Sequence, residues 1–211
     1  MPVVGGTVSL YNETDAGPIY PTPVVGMVGE LPDPGNAGGI ALHDGDAIAL
    51  VGPFAPSLAG SELARLRGEL GAGLPGVDVE AVRAAIELVR DAVRSGRAAA
   101  AHDISEGGLA CALAECAIAG GVGASVDLDP LVELRGASGE TCLFGEGPGG
   151  FLVAGERSAI DALARESAGV DVLLIGEAGG HEIGLSVAEA SLTATLAEAE
   201  SAWRSLAARV T

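Results

Sequence analysis

The sequence contains no lysine. All eleven basic residues are arginine, set against twenty-nine Asp and Glu, giving a formal net charge of −18 and a sequence pI near 4.3. Repulsion from such a surface argues against nucleic acid or an anionic membrane as partner. Any phosphorylated ligand would depend on backbone N–H groups, a divalent cation or a few local arginines. Aromatic residues are scarce as well, at 3% of the chain, so the 48% hydrophobic content describes a core of Val, Leu, Ile and Ala. The cysteines, Cys111, Cys116 and Cys142, are odd in number and lack metal-ligand spacing, which points to buried free thiols in a cytoplasmic protein. No basic n-region follows Met1, and no apolar stretch is long enough to span a bilayer.

Glycine, in contrast, is abundant. Its thirty-three residues follow no collagen-like period and mark tight turns and loops where backbone can approach a ligand. At 211 residues the chain is long enough for one domain, or one domain with an appendage. Two runs near the start, 7–11 and 23–29, read as strands joined by a turn rich in Asn, Asp, Gly and Pro. The stretch 31–39, "LPDPGNAGG", reads as a linker without helix or ladder.

Beyond the linker, strands and helices alternate. Strands are predicted at 47–52, 98–103, 122–128, 151–155 and 170–176, and a final pair from "HEIGLSV" and "ASLTA". A helix is predicted from the Asp78 cap to the Gly96 stop, with Val79, Val82, Ile86, Val89 and Val93 as its apolar face. Others are predicted over 109–118, over 158–168 opened by Ser158, and after a Ser61 cap, carrying Leu63 and Leu66. Thr195 and Glu198 form a capping box for a terminal helix whose apolar side, with Leu192, Leu196, Ala199, Trp203 and Leu206, is ordinary core. By itself the alternation reads as an α/β domain. There is no internal repeat.

Three stretches could carry chemistry, and for one of them, "PSLAGSELARLRG" at residues 56–68, the structural reading as a capped helix is favoured. In "AHDISEGGLACALAECAIAGG", residues 101–121, a strand ends at His102-Asp103 and Gly107-Gly108 leads into a helix, the arrangement that offers free N–H groups to an anion. Paired glycines also serve packing. His102 and Asp103 fit either a base with its orienting partner or a satisfied turn, and Asp103 with Glu106 are too few carboxylates for a Mg²⁺ site. In "LFGEGPGGFLVAG", residues 143–155, Glu146 lies in a glycine-proline loop that reads as a substrate loop or as a flexible hairpin. No nucleophile constellation is present, and His43 and His181 sit apart in turn or strand-end settings.

Four stretches in order, "GGTVSLYNETDAGPIYPTPVVGMVG", "AGSELARL", "HDISEGGLACALAECAIAGG" and "LFGEGPGGFLVAG", resemble the C-terminal portion of phosphoribosylformylglycinamidine synthases of purine biosynthesis. The family's patterns are "GGNVSLYNE…IYPTPVVGMVG", "GSE", "HDVSDGGLAVALAEMA" and "LFGESQSRFLV". The resemblance implies the fold class, α+β in layers with a mixed sheet flanked by helices, in a final domain like the C-terminal domain of aminoimidazole ribonucleotide synthetase over 38–211. A linker at 32–37 and, at 1–31, the last strand pair of a truncated second ATP-binding domain would precede it. It also implies a reaction. ATP and Mg²⁺ activate the amide oxygen of formylglycinamide ribonucleotide as a phosphate ester, and glutamine-derived ammonia displaces phosphate, which calls for positioning and charge more than covalent help from side chains. Implied partners are the N-terminal half of the synthase, a glutaminase and small accessory subunits.

Carried over residue by residue, the family pattern places an ATP contact at Gly6, a Mg²⁺ ligand at Thr7 and a substrate contact at Ser9. Thr7 offers a hydroxyl where the family usually has the amide oxygen of Asn. An auxiliary phosphate site would comprise Asp103, Ser105, Gly107 and Gly108, with Glu106 standing for the usual Asp. At 147–150 the family's Ser-Gln-Ser-Arg is Gly-Pro-Gly-Gly here, which removes every side-chain donor from the loop. The expectation is a portion of the ligase that is inactive alone. The alternative is a noncatalytic module derived from that family, binding a nucleotide phosphate or a partner chain.

Overall fold

In the computed structural model the described residues are 12–19, 26, 28–30, 35, 37–69, 71, 73–188 and 190–205. Contacts divide the chain into two units, Met1–Gly35 and Asn36–Thr211. In the first, β1 (Glu13–Thr14) pairs antiparallel with β2 (Gly17–Pro18), and the Ile19 amide donates to the Asn12 carbonyl at 2.9 Å. Most of both predicted strands, 7–11 and 23–29, lies outside the described residues. Gly26, Val28 and Gly29, which do not, carry no strand.

The second unit is built on a seven-stranded sheet: β3 (Ala47–Val51), β4 (Ala100–Asp103), β5 (Ala124–Asp127), β6 (Phe151–Gly155), β7 (Val172–Ala178), β8 (Glu182–Val187) and β9 (Ala190–Thr195). In space the order is β4-β6-β3-β7-β5-β8-β9, with β5 and β8 parallel and every other pair antiparallel. The helices are α1 (Glu62–Arg67), α2 (Val79–Arg94), α3 (Gly108–Gly120), α4 (Asp129–Arg135), α5 (Gly139–Phe144), α6 (Arg157–Glu166) and α7 (Leu196–Arg204).

Strand β3 explains the layering. All five of its residues are buried, as expected of a strand covered on both faces. Ala47, Ala49 and Val51 face α2 and α6, against Val89, Ala92, Ile160 and Leu163. Ile48 and Leu50 join the opposite cluster with Leu109, Leu113 and Leu131 from α3 and α4 and Cys142 from α5. The mixed sheet flanked by helices is the predicted fold class.

Several local expectations need correction. Helix α2 starts at Asp78 as read, its carboxylate accepting from the Glu80 and Ala81 amides, but its inward residues are Ala85, Val89 and Ala92, while Val79 and Ile86 are exposed. Ser61 caps α1 by accepting from Ala64 N–H, and there Ala64 is buried while Leu66 is exposed. Helix α6 has Glu156, not Ser158, at its N-cap. Helices α4 and α5 were not foreseen. The Thr195–Glu198 capping box is present, yet Leu192 belongs to β9 and Trp203 is 58% exposed instead of packed in the core; Leu206 lies outside the described residues. Within the predicted linker, Gly39 forms a parallel bridge to Ala100.

Candidate functional site

Strands β4 and β6 place the two informative loops side by side. Asp103 pairs with Phe151 at the end of the ladder, and just beyond it the Ile104 amide donates to the Gly150 carbonyl at 2.9 Å. Residues 103–106 and 146–151 then wall a cavity of about 380 Å³. Its charged lining is entirely acidic, Asp103, Glu106 and Glu146. Asp103 and Ser105 are thus brought together on this wall, and Gly107 and Gly108 follow at the start of α3.

Both glycine amides at that helix start are already engaged. Gly107 N–H donates to Glu146 Oε1 at 2.9 Å, and Gly108 N–H donates to the Ser105 carbonyl at 3.0 Å. The same Glu146 oxygen accepts from Glu62 N–H at 2.8 Å, so one carboxylate sits at the starts of both α1 and α3, where helix dipoles favour negative charge. The backbone of Glu146 also pairs with Ser57 in both directions, at 2.9 and 3.0 Å. The loop is therefore a stitched junction of three segments, not a flexible hairpin. Packing accounts for the paired glycines: a Cβ on Gly108, which has φ +71°, would lie 2.7 Å from the Gly145 carbonyl oxygen, and one on Gly107 would meet the Cys111 side chain.

His102 is likewise satisfied. Its Nε2 lies 2.9 Å from Glu115 Oε2 and its Nδ1 3.3 Å from Asp103 Oδ1, leaving neither ring nitrogen free to act as a base. Among the described residues no group of three or more His, Cys, Asp and Glu is arranged to hold a metal ion. None of their helices is long and apolar enough to cross a membrane. Gly6, Thr7 and Ser9, the positions implied for ATP, metal and substrate, lie outside the described residues.

The thiols are unactivated. Burial, with Glu115 beside it, pushes the Cys116 pKa up to about 12, and burial also raises that of Cys142. Cys111 is exposed, contrary to expectation, and its pKa is raised by desolvation and by the carboxylates of Glu115 and Glu146. A raised thiol pKa leaves less thiolate at neutral pH, and the thiolate is the reactive form. Iodoacetamide near neutral pH should therefore modify Cys111 slowly and leave Cys116 and Cys142 intact until the chain is unfolded in urea, as read by peptide mass spectrometry. Labelling of Cys116 in the folded chain as fast as Cys111 would contradict this.

The glutamate stitch carries no motif in the usual sense. The signal that could have found Glu146 is an acidic residue isolated in a glycine loop, next to no base and no metal spacing, so that its partner had to be backbone.

Comparison with known proteins bears on the fold and the family. Residues 43–199 match the family described as AIR synthase related protein, C-terminal domain. The chain is 47% identical over 187 residues to the phosphoribosylformylglycinamidine synthase subunit PurL of Moorella thermoacetica, an alignment covering 86% of this chain and 25% of that protein. The chain thus spans about a quarter of the length of the curated relatives it matches. Among solved structures, T. maritima PurL complexed with FGAR aligns with a TM-score of 0.61 at 19% identity, covering 77% of this chain and 29% of that one. T. maritima PurL complexed with ATP aligns with a TM-score of 0.61 at 18% identity, covering 77% and 27%. These structures share the fold of the sheet and its flanking helices, and the family match extends over most of the second unit. The chain belongs to the AIR synthase related protein, C-terminal domain family.

Proposed function

We propose that this chain is the C-terminal portion of a PurL-type phosphoribosylformylglycinamidine synthase. Its second unit serves there as a noncatalytic scaffold domain of the ATP-dependent ligase that converts formylglycinamide ribonucleotide to the amidine with glutamine-derived ammonia. The observation that carries this reading is the likeness to the Moorella subunit over most of the chain. The histidine beside the helix start fits a scaffold role, since both its ring nitrogens face carboxylates. In this reading residues 1–31 complete a second ATP-binding domain, 32–37 link it to the rest, and Gly6, Thr7 and Ser9 contribute to ATP, Mg²⁺ and substrate binding there. The partners are the rest of the synthase, a glutaminase and small accessory subunits, in the cytoplasm. A phosphate seat at Asp103, Ser105, Gly107 and Gly108 is disfavoured, because Glu146 already takes the Gly107 amide and the adjoining cavity is lined with acid.

Reconstitution tests the proposal. The Moorella subunit, shortened by the quarter that this chain matches, is assayed with formylglycinamide ribonucleotide, ATP, Mg²⁺ and ammonia. Adding this chain should restore amidine formation, while the chain alone should give none. The proposal is overturned if the chain alone turns over. It is equally overturned if the chain fails to restore activity where the Moorella segment supplied in the same way succeeds.

A further inference from the structure

A second cavity, of about 420 Å³, lies where α3 and α7 meet β4, walled by Ile40, His102, Glu115, Ile118, Ala119 and Trp203. Its size falls in the range of small-molecule sites, and its composition, mostly apolar with a few polar groups, is typical of them. We propose that this cavity binds an amphipathic organic cation, an amine or guanidinium carried on an aliphatic or aromatic body.

Each wall contributes to that selectivity. Ile40, Ile118 and Ala119 offer apolar surface, and the Trp203 ring, 58% exposed, offers a face whose quadrupole attracts cations. That attraction already operates on the ring, since the Arg204 guanidinium carbon sits 5.7 Å from its centroid. The carboxylate in the wall is Glu115, whose Oε2 accepts from His102 Nε2 at 2.9 Å and whose side chain stays 43% exposed. Behind His102 stands a second carboxylate, Asp103, 3.3 Å from the other ring nitrogen. Among the described residues no arginine lines the wall, and the Arg204 guanidinium over the ring is itself paired with Glu200 at 2.8 Å.

An anionic ligand would face repulsion from both carboxylates. A neutral apolar one would strip water from Glu115 without replacing its hydrogen bonds, which is costly. A cation with an apolar body pairs with the carboxylate, stacks on the indole and fills the apolar wall together. The net charge of −18 further enriches cations near the surface.

Trp203 is the only tryptophan, so its emission reports directly on this cavity. Titrating the folded chain with hexylguanidinium should give a saturable blue shift that weakens with added salt, while hexanoate and unsubstituted guanidinium at equal concentrations should not. Glu115→Gln keeps an oxygen for His102 Nε2 and removes the charge, and should raise the Kd about tenfold or more. Trp203→Leu, followed by calorimetry, should weaken binding several-fold. A shift of equal size with hexanoate, no saturable change with hexylguanidinium, or an unchanged Kd in Glu115→Gln overturns the proposal. The first two outcomes need no variant, so they stand even if a substitution unfolds the chain.

Discussion

Replacing Glu146 with alanine should lower the unfolding free energy by about 3 kcal/mol, the sum expected for two charge-assisted hydrogen bonds lost at half-buried helix starts. The carboxylate oxygen holds Gly107 N–H at 2.9 Å and Glu62 N–H at 2.8 Å, and alanine leaves both amides without their acceptor. The Ser57 bridge runs through backbone and survives the change, so the loss isolates the side chain. For a domain of this size the thermal midpoint should fall by roughly 6–12 °C. Glu146→Gln keeps an acceptor oxygen but not the charge, and should cost about 1 kcal/mol. Urea unfolding of the three chains measures both differences. If alanine and glutamine prove equally mild, the carboxylate is not what joins the two helices.

Glu146 also shows where sequence reasoning stops. The strands of the central sheet were legible, because runs such as Ala47–Val51 and Phe151–Gly155 are apolar throughout and only a strand covered on both faces suits so short a run. The caps of α1, α2 and α7 were legible because Ser61, Asp78 and Thr195 act on amides two or three residues away. The inward face of α2 departs from its valine stripe because alanine is small enough for close approach to the sheet. Ala85 and Ala92 face the sheet closely, where the larger Val79 and Ile86 do not. Helices α4 and α5 escaped because six or seven residues show too little periodicity, although Pro130 at the start of α4, Gly136 at its end and the Ser138 cap of α5 were all present. The bond from Glu146 to Gly107 spans thirty-nine positions, and that to Glu62 eighty-four, and no local pattern encodes either. The helix start at Gly107-Gly108 was therefore correctly placed as a structure, while its use as an anion seat depended on a residue the local motif does not contain.

Restoring the family's Ser-Gln-Ser-Arg at residues 147–150 should destabilise this chain by about 5 kcal/mol instead of rebuilding a substrate loop, since overpacking and backbone strain each cost about 1–3 kcal/mol per site. A Cβ at position 147 would lie 2.7 Å from the Ala55 carbonyl oxygen, and one at 150 would lie 2.6 Å from Phe54 Cδ2. Position 149 has φ +78°, where a side chain is strained, and its Cβ would be 2.7 Å from Val82 Cγ2. Phe54 cannot easily yield. It is fully buried, and its carbonyl accepts from Arg135 Nε at 2.7 Å while the same guanidinium pairs with Asp171 at 2.6 Å. Gly150 is thus the complement of Phe54, while Gly147 and Gly149 are held to glycine by Ala55, Val82 and Pro53. A double-mutant cycle tests that coupling: Gly150→Ala should cost about 2 kcal/mol and Phe54→Ala about 4 kcal/mol, with the pair costing about 1–2 kcal/mol less than their sum. Additive costs would mean that Phe54 does not dictate glycine at position 150, and a four-residue replacement as stable as the parent would mean that the loop is free to carry side chains after all.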